Sequence, residues 1–398
     1  MTKENEKRVP KLRFKGFTDD WEQRKFGNFI EEYVEKTTSQ NQYPVLTSSQ
    51  QVGIVLQEDY FSNRQVTTSK NIGYFVLPKG YFTYRSRSDN GVFVFNRNDS
   101  IDKGIISYFY PVFRVINADS DFFLRRINFG VGHQIAIAAE GTGQHVLSLK
   151  KFKDIRAMFP VIQEQVKIGN LFSQLDIIIT LHQRKLEQLE KLKQALLQQM
   201  FSQKDETVPK LRFANFDDEW EQHKLGDSVR FINGRAYRQA ELLDKGKYRV
   251  LRVGNFNTNT SWYYSNLELE DDKYANKGDL LYLWATSFGP EIWERERVIY
   301  HYHIWKVEML DENIDKQYLY TWLETDKERI KQMTNGTTMV HVTKGLIEER
   351  SFQFPIYKQE QRQIGALFKN LDNLITLHQK KLEHLKLIKQ SLLQNLFI

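Results

Sequence analysis

One stretch of this chain is spelled twice. Residues 175–189 read LDIIITLHQRKLEQL, and residues 371–385 read LDNLITLHQKKLEHL, 196 positions later. Each copy runs on without Gly or Pro, through Leu192, Leu196 and Met200 in the first and Ile388, Leu392 and Leu396 in the second. Apolar residues return every three or four positions with Gln, Lys and Glu between them, the pattern of a long helix with one apolar seam. From about Gln163 to Met200 such a helix spans roughly 55 Å at ~1.5 Å per residue. A seam of that length needs a cover, and the second copy, Gln361 to Phe397, is the cover the chain itself supplies. The expected seam comprises Leu175, Ile178, His182, Leu189 and Leu196 against Leu371, Leu374, His378, Leu385 and Leu392. His182 and His378 hold matching positions, where they would fix register.

A second repeat orders the rest. VPKLRFKGFTDDWEQRKFG at 9–27 returns as VPKLRFANFDDEWEQHKLG at 208–226, 199 positions later. The chain is therefore an opening motif, a variable segment and a long helix, and then the same series again. The expected fold is α+β: two pseudo-repeated α/β domains separated by a pair of long antiparallel, coiled-coil-like helices. The expected divisions are 1–158, the helix 159–201, a polar linker 202–207, a second domain 208–353 and the helix 354–398. In the opening motif Leu12, Phe14, Phe17, Trp21 and Phe26, with their copies Leu211, Phe213, Phe216, Trp220 and Leu225, read as core or docking surface.

The variable segments share little sequence but punctuate alike. Lys79-Gly80 corresponds to Lys277-Gly278, Gly91 to Gly289, and Gly141-Thr142 to Gly336-Thr337. Strand-like runs at Tyr43–Thr47, Gly73–Leu77, Tyr81–Tyr84, Val92–Phe95 and Ile105–Val115 alternate with turn signals, and a helix is expected over Asp119–Asn128. The second segment offers strands at Tyr248–Val253, Asp279–Leu283 and Val298–Val307 and a helix at Lys316–Met333.

The absences narrow the chemistry. There is no Cys, which excludes disulfides and cysteine-based zinc sites and suits a reducing compartment. No run of about 18 apolar residues predicts a membrane span, and the N-terminus lacks the apolar core of a signal peptide; a cytoplasmic protein is expected. No phosphate-binding G-x-x-x-x-G-K-[ST] loop and no G-x-G-x-x-G occurs. His301-x-His303 puts two imidazoles on one strand face, but without a third ligand the pair reads as ordinary histidines. Acidic runs such as Asp217-Asp218-Glu219 read as solvated turns. No catalytic set and no metal site assembles, so a non-enzyme is expected. The formal net charge of +7 is a mild excess that suits a polyanionic partner.

In its paired LDxxITLHQxKLExL helices, its repeated LRF…WE motifs and the unlike segments between them, the chain resembles the specificity subunit of a type I restriction-modification enzyme over essentially its full length. The resemblance implies two target-recognition domains, each reading one half of a split double-stranded DNA sequence, with the helices as a ruler between them. It also implies a non-catalytic subunit that docks two modification subunits, which bind S-adenosylmethionine and methylate adenine. Through these it would meet the restriction subunits, with ATP and Mg on the partners and no cofactor on this chain.

Base edges call for Arg, Lys, Asn, Gln, Ser and Thr on loops, and phosphates for Lys and Arg. The first domain offers Arg85, Arg87 and Asn90, then Ser48, Ser49 and Gln50, then Thr142, Gln144 and His145. The second offers Arg252 and Asn255, then Trp284, Thr286 and Ser287, then Thr337, Thr338 and His341, with Arg235 and Arg238 suited to phosphate. Two other readings stay open: a coiled-coil adaptor that docks proteins without reading DNA, and a nuclease hidden in the variable domains.

Overall fold

Trp21 and Trp220, 2% and 3% exposed, anchor the two opening motifs in two separate cores. The computed structural model describes residues 9–61, 70–141, 143–201, 206–256, 259–285, 288–333 and 342–397. Two compact units result: residues 1–183 with 380–398, and residues 184–379. Each long helix therefore gives one part to each unit.

In the first unit a four-stranded antiparallel sheet runs in the order Ile30–Glu32, Val112–Val115, Phe82–Tyr84, Phe95–Arg97. Its inner face is almost wholly aromatic: Phe82, Phe95 and Phe113 are fully buried with Phe26, Phe122, Phe123 and Phe152. Two further antiparallel pairs accompany it, the hairpin Leu46–Ser49 with Gly53–Leu56 and the longer-range pair Phe75–Pro78 with Lys103–Ile106. The run expected as one strand over 105–115 is two strands. Pro111 has no N–H to continue a ladder, and Tyr110 N donates to Ser107 O to close a turn. The helix Ser120–Asn128 starts where Asp119 accepts from Phe122 N at 2.8 Å, an N-cap.

The second unit has an antiparallel sheet in the order Val229–Asn233, Ile304–Met309, Leu280–Leu283, Gly289–Ile292. A second, mixed sheet runs Tyr263–Ser265, Tyr248–Leu251, Val298–Tyr300, Tyr274–Ala275. The expected strand 298–307 is broken because the chain changes sheets. His301 N still donates to Leu251 O of one sheet, Ile304 N turns back onto His301 O, and Ile304 opens a strand of the other. The helix Lys316–Met333 has the expected bounds.

The long helices are Ile162–Met200 and Lys358–Leu396, each 39 residues. In the first unit Phe172 meets Phe397 with ring centroids 5.9 Å apart, and Asp176 pairs with Lys389 at 2.5 Å. In the second unit Lys193 pairs with Asp372 at 2.6 Å and Phe201 meets Phe368 at 6.0 Å. Numbers rise along one helix as they fall along the other, so the pairing is antiparallel in both units. The buried positions step by four and three, through Ile168, Phe172, Leu175 and Ile179 to Leu189, and through Ile364, Phe368 and Leu371 to Leu382 and Leu396.

That phase corrects two expected seam residues. Ile178 and Leu374 are each 43% exposed, because the adjacent Ile179 and Ile375 take the seam and one residue turns about 100° around the helix. Leu175, Leu189 and Leu371 are buried, while Leu196, Leu385, Leu392, His182 and His378 are half-buried.

The frame repeats bond for bond. Arg13 grips the fully buried Glu164 through Nε and Nη2 at 2.8 and 2.9 Å, and Arg212 grips Glu360 at 2.7 and 2.9 Å. Gln165 donates to Pro160 O and accepts from Asp119 N; Gln361 does the same with Pro355 O and Asp315 N. Leu12 N donates to Asn395 O, and Leu211 N to Gln199 O, both near 2.8–2.9 Å. Each opening motif is thus closed by the end of the long helix that precedes it in the repeat, the first by the chain's C-terminal end. Matched glycines permit the packing. A Cβ on Gly169 would stand 2.2 Å from Asp119 Oδ1, and one on Gly365 would stand 3.0 Å from Tyr318 N.

Candidate nucleic-acid interface

In the first unit three separately placed loops meet. The hairpin turn after Leu46–Ser49 and the segment following Phe82–Tyr84 line one cleft of about 460 Å3, with Ser48, Ser49, Gln50, Arg85, Arg87 and Asn90 among its walls. The short strand Arg87–Ser88 pairs with His145–Val146, and Gln144 Nε2 donates to Asp89 Oδ1 at 3.3 Å, which brings the third loop alongside. Thr142 lies outside the described residues.

The loops hold their shape through committed polar groups. Ser49 is 6% exposed and its Oγ accepts from Gln51 N and Val52 N. Asn90 Oδ1 accepts from Ser88 Oγ at 2.9 Å and Val92 N at 3.1 Å. Asn96 Nδ2 donates to Ser48 Oγ and Ser49 O, tying the hairpin to the sheet. Ser49 and Asn90 therefore build turns, while Gln50, Arg85 and Arg87 are exposed. No carboxylate pairs with Arg85 or Arg87 among the described residues, so both cations face solvent at the cleft.

In the second unit Arg235, Arg252 and Trp284 converge on the segment Tyr300–His303. Arg235 N donates to Tyr300 O, and Tyr302 N to Arg235 O. Trp284 Nε1 donates to Tyr302 O at 2.8 Å and packs edge-on against His303 at 4.9 Å. Burial, with His303 and Arg252 nearby, lowers His301 from 6.5 to about 4, so its imidazole is neutral at neutral pH. Arg235 pairs with Glu241 at 2.5 Å. Arg238 is exposed, and its backbone N–H donates to the same Glu241. Asn255 closes the turn behind Arg252, its Oδ1 accepting from Arg252 N and its Nδ2 donating to Ser261 O. Thr286, Ser287, Thr337, Thr338 and His341 lie outside the described residues.

The aromatic side chains beside these loops escaped the sequence reading. Phe109 lies under Arg87, Tyr263 under Arg252, and Tyr302, 39% exposed, joins Trp284 and His303. The YHYH run at 300–303 was the one signal available for the last group. Among the described residues no group of three His, Asp or Glu side chains is placed to hold a metal ion, and no helix is long and apolar enough to cross a membrane.

One frame, repeated bond for bond, thus carries two unlike polar surfaces, one in each unit. The chain belongs to the family of the type I restriction modification DNA specificity domain, whose model matches it twice, at residues 18–191 and 217–387. Among curated relatives, the type I restriction enzyme MjaVIII specificity subunit of Methanocaldococcus jannaschii is 26% identical over 197 residues, 49% of this chain and 45% of that protein. The putative type I restriction enzyme MjaX specificity subunit of the same organism is 21% identical over 268 residues, 65% of this chain and 62% of that one. The chain thus matches less than two thirds of the length of either relative. Among solved structures, the S subunit of a type I restriction-modification system from M. genitalium superposes with a TM-score of 0.66 at 17% identity, over 98% of this chain and 99% of that one. A chain from a structure of type I R-M complex assembly and conformational transition gives 0.51 at 15% identity, over 94% and 96%. These likenesses extend the shared fold to nearly the whole chain.

Proposed function

We propose that this chain is the sequence-specific DNA-recognition subunit of a type I restriction-modification complex, each unit reading one half of a bipartite, asymmetric target. The observation that carries this is the pairing of a repeated frame with unrepeated loop surfaces. Two identical surfaces would read a palindrome, as symmetric dimeric readers do; two unlike ones read unlike half-sites. The first unit offers a polar cleft whose Arg85 and Arg87 pair with no carboxylate among the described residues, and the second an arginine and aromatic cluster, both suited to base edges and phosphates.

The helices have two roles in this reading: their length sets the gap between half-sites, and their outer faces dock the modification subunits. Ile178, Leu181 and Ile388 are exposed in the first unit, and their repeat equivalents Leu374, Leu377 and Leu192 are exposed in the second. Two equivalent apolar patches fit two copies of one partner. The chain itself is non-catalytic, with S-adenosylmethionine, ATP and Mg carried by the partner subunits and the restriction subunits joined through them.

The test is DNA binding by this chain co-expressed with its modification subunits, titrated with salt. Specific binding whose affinity falls steeply with salt is expected, because phosphate contacts release counterions. Stable assembly with the partners and no preference among DNA sequences would favour the adaptor reading instead.

A further inference from the structure

Most arginines that lie over aromatic rings in this chain also have an acid to neutralise them. Arg97, Arg235, Arg249 and Arg297 sit over Phe82, Tyr237, Trp262 and Tyr274, and each pairs with an Asp or Glu. Arg87 and Arg252 differ. Each guanidinium carbon stands 4.3 Å from a ring centroid, Phe109 in the first unit and Tyr263 in the second, and among the described residues neither pairs with a carboxylate. Arg295 over Trp293 in the second unit also pairs with no carboxylate among the described residues, but its guanidinium stands 6.0 Å from the ring. Arg87 and Arg252 are the closely stacked ones, one in each unit, beside the loops proposed to meet DNA.

Both seats are rigid. Arg87 is held by the ladder to Val146, and Phe109 by Ser86 N donating to its carbonyl at 2.9 Å. Tyr263 is paired in register with Val250, two residues from Arg252, whose Nη2 donates to Ser261 O at 3.1 Å. A ring fixes the plane of the guanidinium, and of the donors at its outward end Arg252 commits only one Nη2 proton, to Ser261 O. A fixed, uncompensated fork matches guanine O6 and N7 in the major groove, the commonest specific side-chain contact to a base. Arg85, exposed on the same cleft with no ring beneath it among the described residues, keeps the freedom that suits a phosphate contact.

We infer that Arg87 and Arg252 are the specificity-determining arginines of the two heads, each reading the guanine of a G·C pair in its own half-site. This rests on the two-headed reading proposed above. Arg→Lys substitutions test it, since they keep charge and bulk but lose the fork.

The experiment selects bound sequences from a randomised duplex pool, using this chain in complex with its modification subunits, for the unchanged protein and for Arg87→Lys, Arg252→Lys and Arg85→Lys. The unchanged complex should yield a two-part consensus with a G·C pair in each half. Placing 7-deazaguanine there should weaken its binding by on the order of tenfold to a hundredfold. Arg87→Lys should relax that pair in one half only and become insensitive to the 7-deaza base; Arg252→Lys should do so in the other half. Arg85→Lys should change neither preference. If either variant keeps its guanine preference, or loses affinity equally for all sequences, the assignment of that arginine is overturned while the two-part consensus stands. Failure of the unchanged complex to yield any two-part consensus would overturn the two-headed reading itself.

Discussion

Asp176 of the first long helix accepts from Lys389 of the second at 2.5 Å, and the second unit repeats the bond with the helices exchanged, Lys193 donating to Asp372 at 2.6 Å. Asp176 also takes Arg125 from the helix Ser120–Asn128. The three groups are each less than one third exposed, where an ion pair contributes more than it does on an open surface. Lys389→Ala is expected to cost the first unit about 1 kcal/mol, and Asp176→Ala about 2 kcal/mol because two cations then lose their partner. Hydrogen exchange resolved by unit checks this: Lys193→Ala should weaken protection in the second unit and leave the first unchanged. Equal effects on both units would contradict the exchange of partners.

Gly169 is a helix-interior glycine that must stay small. Ordinarily Gly→Ala in such a position gains up to about 1 kcal/mol. Here the added methyl would overlap Asp119 Oδ1, the atom that caps the neighbouring helix, at 2.2 Å. A net loss of about 1–3 kcal/mol is expected, with faster exchange at Phe122 N. Gly365→Ala meets only contacts of 3.0–3.1 Å and should cost less. Thermal melts of the two variants decide it; stabilisation by Gly169→Ala would refute the packing described.

His301 gives the second unit a pH dependence with a definite sign. Its folded-state value, about 4, lies below the ordinary 6.5, so as pH falls the unfolded chain takes the proton first. The stability it contributes is complete above about pH 6.5 and is lost as the pH falls toward about 4. Denaturant midpoints measured across that window should decline for the unchanged protein and decline less for His301→Gln. Parallel profiles would show that His301 is not the group responsible.

If the helices set the distance between half-sites, lengthening both by one heptad should show it. Seven residues inserted after Gln183 and seven after Gln379 preserve the four-three phase of the seam. They add about 10.5 Å, or roughly three base pairs at ~3.4 Å each. The selected target should keep both halves and gain about three unspecified positions between them. An unchanged gap would remove the ruler.

The frame was legible because its signals are local and stated twice. The repeated runs from Leu175 and Leu371 onward, free of Gly and Pro with apolar residues three or four apart, gave both long helices, and the bounds of Lys316–Met333 followed from its pattern. The phase of the seam was less legible. Ile177, Ile178 and Ile179 are consecutive, and only the packing of Leu175 and Phe172 decides that Ile179 turns inward and Ile178 outward. The strand Glu22–Lys25 carries four exposed residues and no apolar alternation, so nothing in its sequence marks it; it exists because Arg156–Phe159 pairs with it. At the interface, loop composition pointed to Arg87 and Arg252. The rings beneath them come from residues 22 and 11 positions away along the chain, a nearness made by the sheets.

The central claim, two unlike heads on one repeated frame, meets its most direct test in mapping modified bases across the genome of a host that carries this chain with its modification subunits. The account predicts one target of two different short sequences separated by a gap of fixed length, and replacement of residues 28–150 by the matching segment of a relative should change one half alone. A palindromic or continuous target, or a change in both halves after that replacement, would contradict it.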